Sequence, residues 1–254
     1  MTGIHFLDAR TPAGMALYAI GDIHGRLDLL AAMHEAIAAE IARDRPADWR
    51  IVHLGDYVDR GPDSSGVIEF LVEAGRRDRR NLFLAGNHEL GMLDFLAKPD
   101  LNGLFARYGG PATARSYGVD IEQGSAQEAA AALAAAMPSA HMDFLHRLAF
   151  SASFGDFFFC HAGIKPGVPL ENQSERDLVW IREPFLTSPD LHPKLVVHGH
   201  TPGPEAEIMP NRVNIDTLAW SSGRLTALAM AGAGKSIIEV SENGAVQRSE
   251  AVTP

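Results

Sequence analysis

Five short polar clusters carry the residue types that bind metal ions and move protons: Gly21-Asp22-Ile23-His24-Gly25, Gly55-Asp56-Tyr57-Val58-Asp59-Arg60-Gly61, Gly86-Asn87-His88-Glu89, His161-Ala162-Gly163 and Gly199-His200-Thr201. Asp, Asn and His are hard or borderline ligands, and the flanking glycines permit tight turns and close backbone approach. A lone Asp after a strand is an ordinary cap or turn former. Five clusters of ligand type in one chain are not explained as five independent caps. The single cysteine, Cys160, excludes both an internal disulfide and a thiolate metal cluster, so any metal here is held by nitrogen and oxygen.

Each cluster follows a segment that reads as a strand, and the strands would bring the clusters together. Residues 17–20, 50–54 and 81–85 are short β-rich runs. Between them, residues 27–43 place Leu27, Leu30, Met33 and Ile37 at helical spacing, and residues 67–74 give a second helix. Further strands are expected at 157–160, 195–197, 213–215, 225–230 and 236–240. Parallel strands present their carboxyl ends on one edge, where residues distant in sequence converge in a crevice. The pattern is that of an α/β fold in a single domain spanning 1–254. Residues 91–148 lack strand signals and include an alanine-rich helix at 126–137 closed by Pro138, so they read as a helical insertion, or cap.

Composition narrows the class further. The chain has 254 residues, 46% of them hydrophobic, and a formal charge of −10, which disfavours nucleic acid and anionic lipid as partners. The one basic run, 76–80, is interrupted by Asp78 and reads as a solvated helix end. No apolar run suits a membrane span, and Asp8, Arg10 and Pro12 occupy the place of a signal peptide's apolar core, so a cytoplasmic protein is expected.

Taken in order, the five clusters resemble the calcineurin-like metallophosphoesterases, and specifically the bacterial phosphoprotein (serine/threonine) phosphatases; Gly55–Gly61 is the most specific element. The resemblance implies a central β-sandwich of mixed sheets flanked by helices and two divalent metal ions, with Mn²⁺ placed first and Fe or Zn as alternatives. It makes Asp22 and His24 ligands of the first metal, Asp56 the bridge, and Asn87, His161 and His200 ligands of the second. Pro202 stands where many relatives place another histidine, leaving water to complete the first metal's shell. The resemblance gives His88 the role of proton donor, Asp59 that of its partner, and Arg60 that of a phosphate grip. Arg182 is a second phosphate ligand, with Arg176 as its rival.

The implied activity is hydrolysis of phosphoserine or phosphothreonine, with phosphotyrosine as an extension, in a protein or peptide partner. The alternative is hydrolysis of diadenosine tetraphosphate or another nucleotide on the same fold; Asp59, Glu89 and Thr201 favour the phosphatase. Asn214 and Asp216 either buttress the metal shell or form a strand-end turn. His198 and His53 read as packed histidines, and Cys160 as buried. Residues 231–236 end like a phosphate-binding loop, but Ala229 replaces its first glycine and two strands flank it, so a hairpin turn is expected. Substrate selection falls to the insertion, with Arg107, Tyr108, Arg115 and the Gly109-Gly110 turn beside the crevice.

Overall fold

The computed structural model describes residues 3–253. In its first third, strand β1 (Met15–Ile20), helix α1 (Leu27–Asp44), β2 (Asp48–His53), α2 (Ser64–Arg77) and β3 (Asn81–Phe83) alternate. A helical block follows: α3 (Asn87–Ala97), α4 (Leu104–Arg107), α5 (Gly110–Ser116), α6 (Ala126–Ala136) and α7 (Ser139–His146). Next come β4 (Ser151–Phe154), β5 (Phe157–Cys160), α8 (Glu175–Trp180), β6 (Leu195–His198), β7 (Glu207–Ile208) and β8 (Arg212–Asn214). The chain closes with α9 (Ala219–Ser222), β9 (Arg224–Ala231), β10 (Gly234–Ser241) and β11 (Val246–Glu250).

These strands form two mixed sheets, in the orders β11-β10-β9-β1-β2-β3 and β4-β5-β6-β8-β7. Strands β1, β2 and β3 run parallel in the first, and β5, β6 and β8 run parallel in the second. Period-two alternation builds the layers. Leu17, Ala19 and Val52 face inward and pack against Phe157, Phe159, Leu195 and Val197 of the other sheet, whereas Tyr18, Ile20 and Ile51 face outward beneath α1 and α2. Phe158, Cys160 and Val196 likewise turn outward towards α8. The fold is therefore the expected β-sandwich flanked by helices. Burying two sheet faces against each other and two against helices removes most of the apolar surface from water.

Helix signals are local. Asp63 caps α2 by accepting a hydrogen bond from Gly66 N at 2.8 Å, and Ser125 with Glu128 forms a reciprocal capping box on α6. On α1, Leu29, Leu30, Met33 and Ile37 form the buried stripe. The helical segment expected from residue 91 begins earlier, because α3 starts at Asn87 with Gly86 as its cap. Residues 231–236 form the β9–β10 hairpin, with Gly232 at a positive φ and Gly234 paired to Ala231. Among the described residues, no helix is long and apolar enough to cross a membrane.

Candidate metal centre

All six parallel strands end on the same crevice. Asp22 and His24 follow β1, Asp56 follows β2, Asn87 and His88 follow β3, His161 follows β5 and His200 follows β6. Asn214 ends β8, with Asp216 two residues beyond. The backbone there is strained in a consistent way. Among the described residues, seven non-glycine residues have positive φ, and five of them, His24, Asp56, Asp59, Arg60 and His200, belong to the clusters. Such conformations cost on the order of 1–3 kcal/mol each and persist where the surroundings dictate them. Close approach is dictated too: a Cβ on Gly199 would lie 2.0 Å from Asp22 Oδ1.

The side chains converge in two groups that share Asp56. One ligating atom each of His24, Asp56 and His88 lie within 4.8 Å of one another, and the same holds for Asp56, His161 and His200; all five residues are buried. Asn87 joins the second group, its Oδ1 3.0 Å from His161 Nε2 and 2.8 Å from His200 Nδ1. Asp22 borders both groups and turns its carboxylate towards the His200 backbone N–H, at 3.1 Å.

This donor set fits cations. His161 donates its Nδ1–H to Leu54 O at 3.0 Å, which turns Nε2 towards Asn87 Oδ1 at 3.0 Å and Asp56 Oδ1 at 3.4 Å. With Nε2 deprotonated, acceptors face acceptors, an arrangement that a divalent ion satisfies. A proton competes for that place: burial lowers the pKa of His161, but Asp56 overrides burial and raises it to about 10. Burial and the neighbouring Asp216 push Asp22 well above the usual carboxylate range. Asp56, against the penalty of burial, is held well below that range by His161 and His88. Burial depresses His24 and His200 to about 3, so both imidazoles are neutral and available as ligands.

Beside the groups, His88 donates Nδ1–H to Asp59 Oδ2 at 2.6 Å. Arg60 donates to Nε2 of His24 and to Nε2 of His88, each at 3.0 Å. Asp59 and Arg60 therefore both contact His88. Arg182 is exposed, and its charge lies near enough to His200 to contribute to lowering that imidazole. Arg176 is exposed on α8 and makes no hydrogen bond to the centre among the described residues. Asn214 donates to Thr201 O at 2.6 Å, bracing the turn after His200. His53 bonds Leu82 O and the His34 ring, His198 is fully buried against Phe185, and burial pushes the Cys160 thiol up.

Several further residues support the centre. Glu89 is fully buried and accepts hydrogen bonds from the backbone N–H groups of Asp56, Tyr57, Val58 and Gly86, at 2.7–3.2 Å. Thr113 on α5 donates to Asp59 Oδ1 at 2.8 Å and accepts from Asp59 N at 2.8 Å, with Ser64 Oγ 3.0 Å away. The insertion also meets the site through Gly109, whose φ is +122° and whose carbonyl accepts from Arg60 N. A side chain there would strike Arg60. Of the insertion's polar candidates, Arg115 pairs with Glu122 on the solvent face, while Tyr108 is 56% exposed.

Comparison with known proteins agrees with this geometry. The asymmetrical bis(5'-nucleosyl)-tetraphosphatase of Bacillus velezensis is 26% identical over 230 residues, covering 84% of this chain and 88% of that protein. The symmetrical bis(5'-nucleosyl)-tetraphosphatase of Nitrosococcus oceani is 40% identical over 79 residues, which is 31% of this chain and 26% of that protein. The crystal structure of a proposed diadenosine tetraphosphatase superposes with a TM-score of 0.64 at 19% identity, covering 97% of this chain and all of that one. The protein-tyrosine phosphatase of a Shewanella species gives 0.55 at 15% identity, covering 94% and 83%; both likenesses speak for the fold. The sequence pattern of the calcineurin-like phosphoesterases matches residues 15–227, and the chain belongs to that family.

Proposed function

We propose that the chain is a dimetal hydrolase that cleaves phosphoanhydride bonds of dinucleoside polyphosphates. The observation that carries this reading is the likeness to the Bacillus velezensis tetraphosphatase over 84% of the chain. The features first taken to favour a protein phosphatase do not discriminate substrates. Glu89 clamps four backbone N–H groups, Asp59 orients His88, and Thr201 follows His200 with its hydroxyl buried and without a hydrogen-bond partner. The first two are scaffold tasks that any phosphorylated substrate would require, and the Thr201 hydroxyl contacts nothing that selects one.

In this reading His24 and Asp56, with Asp22 alongside, hold one divalent ion, and Asp56, Asn87, His161 and His200 hold the other. Bound there, the ions supply positive charge to phosphate oxygens and lower the pKa of water; manganese, iron and zinc all suit nitrogen and oxygen donors. Arg60 turns from the two imidazoles to grip a phosphate, offering paired donors to two oxygens. Arg182, near His200, adds a second cation. His88 carries the proton for the departing oxygen at Nε2, and Asp59 fixes its ring through Nδ1. One water adds across each anhydride cleaved, giving two phosphate-terminated nucleotides.

The test is hydrolysis of diadenosine tetraphosphate by chelated protein titrated with manganese, with products separated by ion exchange. The expected result is nucleotide release that rises to a plateau near two metal ions per chain. Intact substrate at every metal level, while phosphopeptides are turned over, would contradict the reading. Hydrolysis of phosphorylated Ser or Thr side chains remains the second reading, on the resemblance of Gly55–Gly61.

A further inference from the structure

Two large aromatic side chains remain half exposed on the flanks of the centre, Trp180 at 42% and Trp220 at 40%. Neither belongs to a packed cluster. An indole left open to water forgoes favourable burial, so two of them beside one crevice call for an explanation. Trp220, on α9, lies with its ring 5.8 Å from the Arg60 guanidinium. The preceding turn holds Leu218 at φ +57°. Trp180, the last residue of α8, stands edge-on to the His200 ring at 6.1 Å. One indole thus adjoins the His24–Asp56–His88 group through Arg60, and the other adjoins the Asp56–His161–His200 group through His200.

Trp220 also walls a hollow of about 590 Å³ with Leu27, Ala31 and Pro62 as apolar sides, where Asp28 is paired with Arg26 and Asp63 caps α2. That volume falls within the range of small-molecule sites, roughly 300–1,000 Å³. A flat apolar wall beside an arginine matches a nucleobase attached through a sugar to a phosphate.

We propose that Trp220 is the stacking platform for one nucleobase of the substrate and that Trp180 serves the second. The proposal rests on the dinucleoside polyphosphate reading, but its test is a binding measurement and does not depend on turnover. Calorimetric titration of the manganese-loaded protein compares adenosine triphosphate with inorganic tripolyphosphate, which carries similar charge and no base. Wild-type protein is expected to prefer the nucleotide by about tenfold, within the range of base–aromatic stacking. Trp220→Leu should remove most of that preference, and Trp220→Phe, which restores a π face, should keep most of it. Trp180→Leu should leave adenosine triphosphate binding nearly unchanged and weaken diadenosine tetraphosphate binding instead. Equal affinity for nucleotide and tripolyphosphate in the wild type, or a preference that survives in the Trp220→Leu Trp180→Leu double variant, would overturn the stacking assignment. Failure to cleave diadenosine tetraphosphate alongside a Trp220-dependent preference would instead sink the function reading and leave a nucleotide-binding rim.

Discussion

Thr113→Val isolates the link between the helical block and the proposed proton donor. Thr113 is fully buried, so valine fills nearly the same space and only the hydroxyl is lost. Asp59 Oδ1 then loses the 2.8 Å bond from Thr113, while Asp59 N keeps Ser64 Oγ at 3.1 Å. A hydrogen bond to a charged group contributes about 1.5–3 kcal/mol, so a destabilisation of about 2 kcal/mol is expected. For a chain of this size that lowers Tm by roughly 4–8 °C. Freed on one side, the Asp59 carboxylate holds His88 less firmly, and kcat should fall about tenfold, or ~1.4 kcal/mol. The fall should be larger for phenyl phosphate, whose leaving group needs a proton, than for para-nitrophenyl phosphate. The assay pairs thermal denaturation with kcat on both esters, and Thr113→Ser should recover both properties. An unchanged Tm, equal losses on the two esters, or a serine variant that behaves like valine would refute the reasoning.

Asp56→Asn should reduce metal content by elemental analysis and lower turnover by orders of magnitude while circular dichroism stays native, because Asp56 belongs to both ligand groups; full activity would sink the shared-ligand role. Glu89→Gln places an amide N–H₂ against backbone N–H donors and should cost about 3 kcal/mol, read as a Tm about 10 °C lower; a Tm within 2 °C of wild type would show that the clamp matters little. His34, whose pKa burial depresses to about 4, faces the buried His53 ring at 2.9 Å. Since the unfolded chain binds the His34 proton more readily, this contribution of roughly 3 kcal/mol is present above pH 6.5 and is lost as pH falls towards 4. His34→Leu should therefore flatten the decline of urea stability between pH 6.5 and 5, and a parallel decline in both proteins would contradict the assignment.

The centre was legible because its residues obey two rules at once: they are ligand types, and they follow apolar segments of strand length. Phe157–Cys160 is a strand in sequence and structure alike, since three consecutive phenylalanines and a cysteine suit a short strand buried on both faces. Val246–Glu250 was invisible because all five residues are exposed and the strand is held by backbone pairing to β10. Ser151–Phe154 and the two-residue β7 are too short and polar to show a period. The early start of α3 was hidden because Asn87 and His88 read as site residues, although Gly86 and Glu89 form its cap. Thr113 is one threonine in a short helix, 54 residues from Asp59, and only the fold brings the two together. Trp180 stands beside Arg182 in a segment noted for its arginine alone, and Trp220 lies in a segment with no motif of its own. The substrate was harder to read than the chemistry for a related reason: the motif residues face one another across the crevice and would serve any phosphorylated substrate, so they do not tell one from another.

The most direct test of the account is a competition assay: manganese-reconstituted protein with equal concentrations of diadenosine tetraphosphate and a phosphoserine peptide, both followed to initial rates. The ratio of rates equals the ratio of kcat/KM. A ratio of at least tenfold in favour of the dinucleotide, abolished by chelation and restored by metal, is the predicted result. A tenfold preference for the phosphopeptide would contradict the substrate assignment, and rates indifferent to chelation would contradict the metal centre itself.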